Sequence, residues 1–163
     1  MFPEEIESLA RRVVVRATER GLTIVTAESC TGGLVAGAIT EIAGSSAALD
    51  RGFVTYSNAA KARMLGVAEA TLNAHGAVSR ETALEMARGA VEQSDAAISV
   101  AITGVAGPGG GSADKPVGLV HFATAGPDGG LVHVERRFGE IGREAVRRAS
   151  VEQALEMLLE RLG

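Results

Sequence analysis

Apolar residues recur three and four positions apart over residues 3–20: Ile6, Leu9, Ala10, Val13, Val14 and Ala17. That spacing predicts a helix, with Pro3 suited to its first turn and Gly21 to its end. The pattern then changes. LTIVTA, residues 22–27, is a short unbroken apolar run rich in β-formers, and predicts a buried strand. A polar and glycine-rich stretch, ESCTGG, follows at 28–33, and LVAGAITEIAG after it predicts a small-residue helix ending near Gly44. GFVTYS, residues 52–57, predicts a second strand. Ser57 or Asn58 can cap the helix AAKARMLG, which Gly66 closes.

From about Ser79 to Gln93 the sequence predicts another capped helix, with Ala83, Leu84, Ala87, Ala90 and Val91 on one face. AAISVAIT, 96–103, predicts a third buried strand, and GVAGPGGGSADKP, 104–116, holds too much Gly and Pro to be regular. VGLVHFATA and LVHVERRF flank GPDGG, a strong hairpin signal. From Glu140 to Leu162 a long helix is predicted, with Val151, Leu155, Leu158 and Leu162 as its apolar stripe. The order α-β-α-β-α-α-β-β-β-α reads as an α/β fold: a three-layer α/β/α sandwich on a mixed, mostly parallel sheet of about five strands. One domain spanning 1–163 is expected. Ligands in such folds bind outside the carboxyl ends of parallel strands. That singles out three loops, 27–33, 56–61 and 103–116.

Composition narrows the class. The chain has 163 residues, 46% hydrophobic and 22% charged, an ordinary globular balance. Its net charge of −4 argues against a non-specific nucleic-acid binder, although a few local cations can still hold a phosphate. The single cysteine, Cys30, allows no intrachain disulfide, as in a reducing cytosol. MFPEEIESLARR lacks the basic start and apolar run of a signal peptide, and no apolar stretch reaches the ~20 residues of a membrane span. The expected compartment is the cytoplasm, with no membrane partner.

The chemistry concentrates in the three loops. Ser29 between a strand and a helix is either a helix cap or a nucleophile. In the second case the backbone N–H groups near Thr31, Gly32 and Gly33 would receive an oxyanion or a phosphate. Cys30 could be activated by the same helix end, but a lone Cys beside apolar residues more often belongs to the core. Lys61, about one turn into its helix and desolvated at the base of a cleft, could serve as general base, with Tyr56 beside it to relay or orient. The ordinary alternatives are a solvated helix lysine and a half-buried strand aromatic. Thr103 and Gly104 end the third strand, where glycine permits close backbone approach to a ligand. Arg143, Arg147 and Arg148 crowd the start of the last helix, as solvated charge or as a phosphate clamp. His75 reads as a helix C-terminal turn, while His121 and His133, on opposite hairpin arms, can pair with each other.

Taken together, AESCTGG, TYSNAAKARMLGV, HGAVSRETALEMA, AITGVAGPGGGSADKPVGLV and FGEIGREAVRRASVEQALEML resemble the CinA C-terminal domain family, in order and over essentially the whole chain. Stand-alone bacterial members are nicotinamide-nucleotide amidohydrolases (PncC type), which convert nicotinamide mononucleotide and water to nicotinate mononucleotide and ammonia. The resemblance implies Ser29 as nucleophile, Lys61 as base with Tyr56 adjacent, Thr103 near the substrate, and Arg143 as a phosphate contact with Arg147 close by. Glu28, Thr31, Gly32, Gly33 and Gly104 complete the expected substrate side. It also implies a three-layer α/β/α fold, homo-oligomers, and no metal or cofactor. Two other readings remain: a non-catalytic nucleotide-binding or regulatory module like the competence- and damage-associated relatives, and a hydrolase of a different small amide or nucleotide.

Overall fold

The computed structural model describes all residues, Met1–Gly163. Its elements are α1 (Glu4–Arg20), β1 (Ile24–Glu28), α2 (Leu34–Thr40), a 3₁₀ turn (Ser45–Ala47) and β2 (Leu49–Val54). They continue with α3 (Asn58–Leu65), α4 (Glu69–His75), α5 (Arg80–Glu92), β3 (Ile98–Gly104), β4 (Leu119–Ala125), β5 (Leu131–Arg137) and α6 (Arg143–Leu162). The strands form one sheet in the order β2-β1-β3-β4-β5. β1 pairs in parallel with β2 and β3, whereas the β3–β4 and β4–β5 pairs are antiparallel. β4 alone therefore runs against the other strands, and the three-layer α/β/α arrangement on a mixed sheet stands.

Three local expectations shift. β2 lies at Leu49–Val54 rather than 52–57. It is an edge strand bonded only to β1 and mostly open to solvent, so it contains Asp50 and Arg51 and gives no buried apolar signal. α2 stops at Thr40, and the short helix α4, unpredicted, fills the chain before Gly76. α6 begins at Arg143, three residues later than Glu140.

The two sheet faces are packed differently. A cluster of 25 buried residues joins α1, α2 and α6 to Ile24, Ile98, Val100, Ile102, Val120 and Phe122 on one face. The other face holds 12, and they are mostly alanine: Ala83, Ala87 and Ala90 of α5 lie on Ala27, Ala101, Ala123 and Ala125. Small side chains let α5 approach the sheet so closely that Ser99 Oγ donates to Ala87 O at 2.6 Å. The same closeness explains Gly89, because a Cβ there would overlap the Leu65 carbonyl at the end of α3.

The three candidate loops leave from one edge. Beyond the strand ends the ladder continues, with Ser29 N donating to Ile102 O (2.9 Å) and Thr55 N donating to Glu28 O (2.9 Å). The loops after β1, β2 and β3 are thereby tied side by side.

Candidate active site

Ser57 Oγ accepts from Ala60 N at 3.0 Å and so starts α3 immediately after the β2 loop. One turn on, Lys61 points back under the sheet edge and is only 1% exposed. Its Nζ lies 2.9 Å from Ser29 Oγ, and donates to Thr55 O (2.8 Å) and Tyr56 O (3.4 Å). No carboxylate forms an ion pair with it. Burial therefore holds the amine below its ordinary value of 10.5. A neutral amine has two N–H groups and one lone pair. In that form the two carbonyls would take the N–H groups and the lone pair would face the serine hydroxyl, a geometry that suits a base beside a nucleophile.

Ser29 is not the helix cap. α2 has Gly33 at its N-cap with no side-chain cap bond. Glu28, fully buried at the end of β1, accepts instead from Val35 N (2.9 Å) and Ala36 N (3.0 Å). Its carboxylate is committed to the first N–H groups of α2. The two glycines have a backbone reason: Gly32 (φ 58°) and Gly33 (φ 102°) both sit in the left-handed region. Gly32 N donates to Ser29 O at 3.0 Å, so it is not a free donor. Within the turn the N–H groups of Cys30, Thr31 and Gly33 donate to no protein acceptor. The Thr31 hydroxyl is fully buried and also lacks a partner.

Ser29 and Lys61 open into a cleft of about 490 Å³, including its open mouth, also lined by Cys30, Tyr56, Ala77, Val78, Thr103, Gly104, Ala106 and Arg143. Thr103 is buried and donates to Ala77 O at 2.8 Å, joining β3 to the segment before α5. Gly104 is glycine because of β4: a Cβ would lie 2.8 Å from Leu119 O and 2.7 Å from Val120 Cγ2. Tyr56 is 62% exposed at the mouth and accepts from Arg143 Nη2 at 3.1 Å, while Arg143 Nη1 donates to Gly107 O at 2.8 Å. Arg147 is elsewhere, behind the 29–32 turn, with Nε 3.1 Å from Cys30 O and Nη2 3.3 Å from Thr31 O. Arg148 pairs with Glu144 at 2.7 Å. Cys30 is buried in the larger apolar cluster, and burial pushes its thiol up to about 12. It is therefore a neutral thiol near pH 7, with no thiolate to act as nucleophile.

The sequence reading missed Ala77, Val78 and Ala106 as cleft walls; small apolar residues carry no chemical signal. It also left open how 104–116 is held. Lys115 Nζ donates to His75 O, tying that loop to the end of α4. His121 Nδ1 and His133 Nε2 do pair, 2.9 Å apart, away from the cleft lining. No group of three or more His, Cys, Asp or Glu side chains is placed to hold a metal, and no helix is long and apolar enough to cross a membrane.

With this geometry in hand, similarity to known proteins becomes informative. The sequence model of the CinA C-terminal domain matches residues 6–162. The chain is 52% identical over 159 residues to the nicotinamide-nucleotide amidohydrolase PncC of Escherichia coli K12, covering 97% of this chain and 95% of that one. It is 48% identical to a CinA-like protein of Anaeromyxobacter dehalogenans, where the match spans 38% of the longer protein. Among solved structures, the competence/damage inducible protein CihA from Agrobacterium tumefaciens superposes with a TM-score of 0.97 at 61% identity, covering 98% of this chain and 97% of that one.

Proposed function

Because the chain belongs to the CinA C-terminal domain family, we propose that it is a nicotinamide-nucleotide amidohydrolase. Its substrate is nicotinamide mononucleotide, hydrolysed at the carboxamide to nicotinate mononucleotide and ammonia. The observation that carries the mechanism is the 2.9 Å contact between Ser29 Oγ and a buried Lys61 amine with no counter-ion. Ser29 Oγ attacks the carboxamide carbon while Lys61 takes the hydroxyl proton. The negative charge gathers on the former carbonyl oxygen, for which the unpaired Cys30 N–H, next to the nucleophile, is the nearest backbone donor by sequence. Collapse breaks the C–N bond, and Lys61 returns the proton to the departing ammonia. Lys61 then deprotonates water, which attacks the Ser29 ester carbon; as the C–Oγ bond breaks, Lys61 returns that proton to Ser29 Oγ and the acid is freed. The pyridinium ring withdraws electrons from the carboxamide and lightens the task of the site. Arg143, with Tyr56 at the mouth, is the cation suited to the 5′-phosphate.

Incubation with nicotinamide mononucleotide, with ammonia and nicotinate mononucleotide both measured, tests the reading. Ser29→Ala removes turnover and leaves the melting temperature unchanged. Uptake of the nucleotide with no ammonia released would leave a binding module in place of an enzyme.

A further inference from the structure

Arg143 and Arg147 sit one turn apart on α6 and do different work. The first faces the cleft. The second donates to two consecutive carbonyls, Cys30 O and Thr31 O, behind the turn that carries Ser29. We propose that Arg147 is a positioning residue: it fixes the 29–32 turn so that the Ser29 hydroxyl stays on Lys61 and the Thr31 N–H, which shares a peptide with Cys30 O, stays open beside the Cys30 N–H for the oxyanion. This rests on the amidohydrolase reading above.

The backbone bookkeeping supports it. Ser29 N is tied to Ile102 O and Gly32 N to Ser29 O, so both ends of the turn are held. Between them, Cys30 O accepts only from Arg147, and Thr31 O accepts from Arg147 and from Leu34 N. In a trans peptide the C=O and the following N–H point opposite ways, so holding Cys30 O also aims the Thr31 N–H, which has no protein acceptor. Cys30 and Thr31 are both buried. Packing is close as well: a Cβ on Gly32 would lie 3.5 Å from Arg147 Nη2. Unlike Arg148, Arg147 has no carboxylate partner, so its charge is not neutralised by a salt bridge beside the turn.

The test compares Arg147→Met, which keeps the aliphatic stem, with Arg147→Ala supplemented with guanidinium ion. An open groove lined by Phe2, Ile6, Leu34 and Val151 borders Arg147 and gives the free ion a route in. For a displaced nucleophile, kcat of Arg147→Met falls about 100-fold with KM unchanged. Added guanidinium restores part of the Arg147→Ala rate and saturates. In amide NMR spectra the Cys30 and Thr31 resonances of Arg147→Met shift and exchange faster with solvent. A raised KM with kcat intact would overturn the inference by making Arg147 a substrate contact. A lowered melting temperature with both constants intact would overturn it by making the residue merely structural. If the wild-type chain releases no ammonia, the functional reading fails by itself. The amide spectra then still decide Arg147: unchanged resonances overturn its positioning of the turn, and shifted ones uphold it.

Discussion

Replacing Lys61 by Met separates catalysis from folding. Methionine is of similar length and fills the buried channel under the sheet edge, but it has neither the lone pair facing Ser29 nor the two N–H groups on Thr55 O and Tyr56 O. Leaving Thr55 O without its 2.8 Å donor costs about 1–3 kcal/mol. Removing a buried, unpaired amine gives part of that back. A net loss of at most about 2 kcal/mol from a typical 5–15 kcal/mol leaves more than about 99% of the chain folded. Loss of a general base lowers the rate about 10²- to 10⁴-fold, far more than that change in folded population can. The assay is ammonia release from nicotinamide mononucleotide as a function of pH, alongside thermal melts.

Two pH signatures accompany this substitution. In the wild type kcat/KM rises with pH and levels off below the ordinary lysine value of 10.5, because burial makes the amine give up its proton early. The stability signature has the same sign. Between the lowered folded pKa and 10.5 the unfolded chain binds more protons than the folded one, so wild-type stability rises with pH across that window. Lys61→Met deletes the site and flattens this part of the rise. A Lys61→Met enzyme with the wild-type rate, or a wild-type rate falling as pH rises from neutrality, would refute the assignment.

Further substitutions probe the rest of the site and its frame. Cys30→Ala keeps activity, and the wild-type thiol, held up at about 12, alkylates slowly at pH 8; inactivation by Cys30→Ala would reverse the choice of nucleophile. Glu28→Gln keeps one acceptor for the α2 amides and loses the charge at the helix end. The melting temperature drops by the equivalent of about 1 kcal/mol, while the inflection of the pH–rate profile stays in place. Gly89→Ala forces α5 off the Leu65 carbonyl and destabilises by about 1–3 kcal/mol, despite the better helix propensity of alanine. A more stable Gly89→Ala protein in thermal melts would contradict the close α3–α5 packing.

Elements whose burial is periodic were legible in the sequence. α1, α5, α6, β1, β3 and β4 all bury one stripe or an entire strand, and the pattern carries that directly, while β5, with no buried residue, is marked by the GPDGG turn before it. β2 was displaced because an edge strand needs no apolar alternation, and α4 gave no helix signal because none of its seven residues is buried. In the site, hydroxyl, amine and guanidinium could be named from residue type and spacing. The use of Glu28 could not. A capping side chain is sought just before a helix, among residues 30–33, whereas the cap here comes from the last residue of the preceding strand, seven positions from Val35. Neither could the division of labour between Arg143 and Arg147, which depends on the direction each side chain takes from the same helix face.

The placement of Glu28 also bears on why the Lys61 amine is held below its ordinary value. A buried amine next to a buried carboxylate would form an ion pair, and the pair would raise the lysine pKa and hold its proton. The strand end contributes an acid only one residue from Ser29, so such a pair was available to this sequence. Glu28 instead faces the other way, with both oxygens committed to α2 N–H groups at 2.9 and 3.0 Å. The helix end satisfies the acid, and the amine is left with carbonyls and a hydroxyl alone. Alternation along the strand puts successive side chains on opposite faces, so an acid and a serine in sequence point apart, one toward α2 and one toward α3. The order Glu-Ser, at the end of β1 and the residue after it, thus separates the carboxylate that holds the helix end from the amine that is the base of the proposed mechanism.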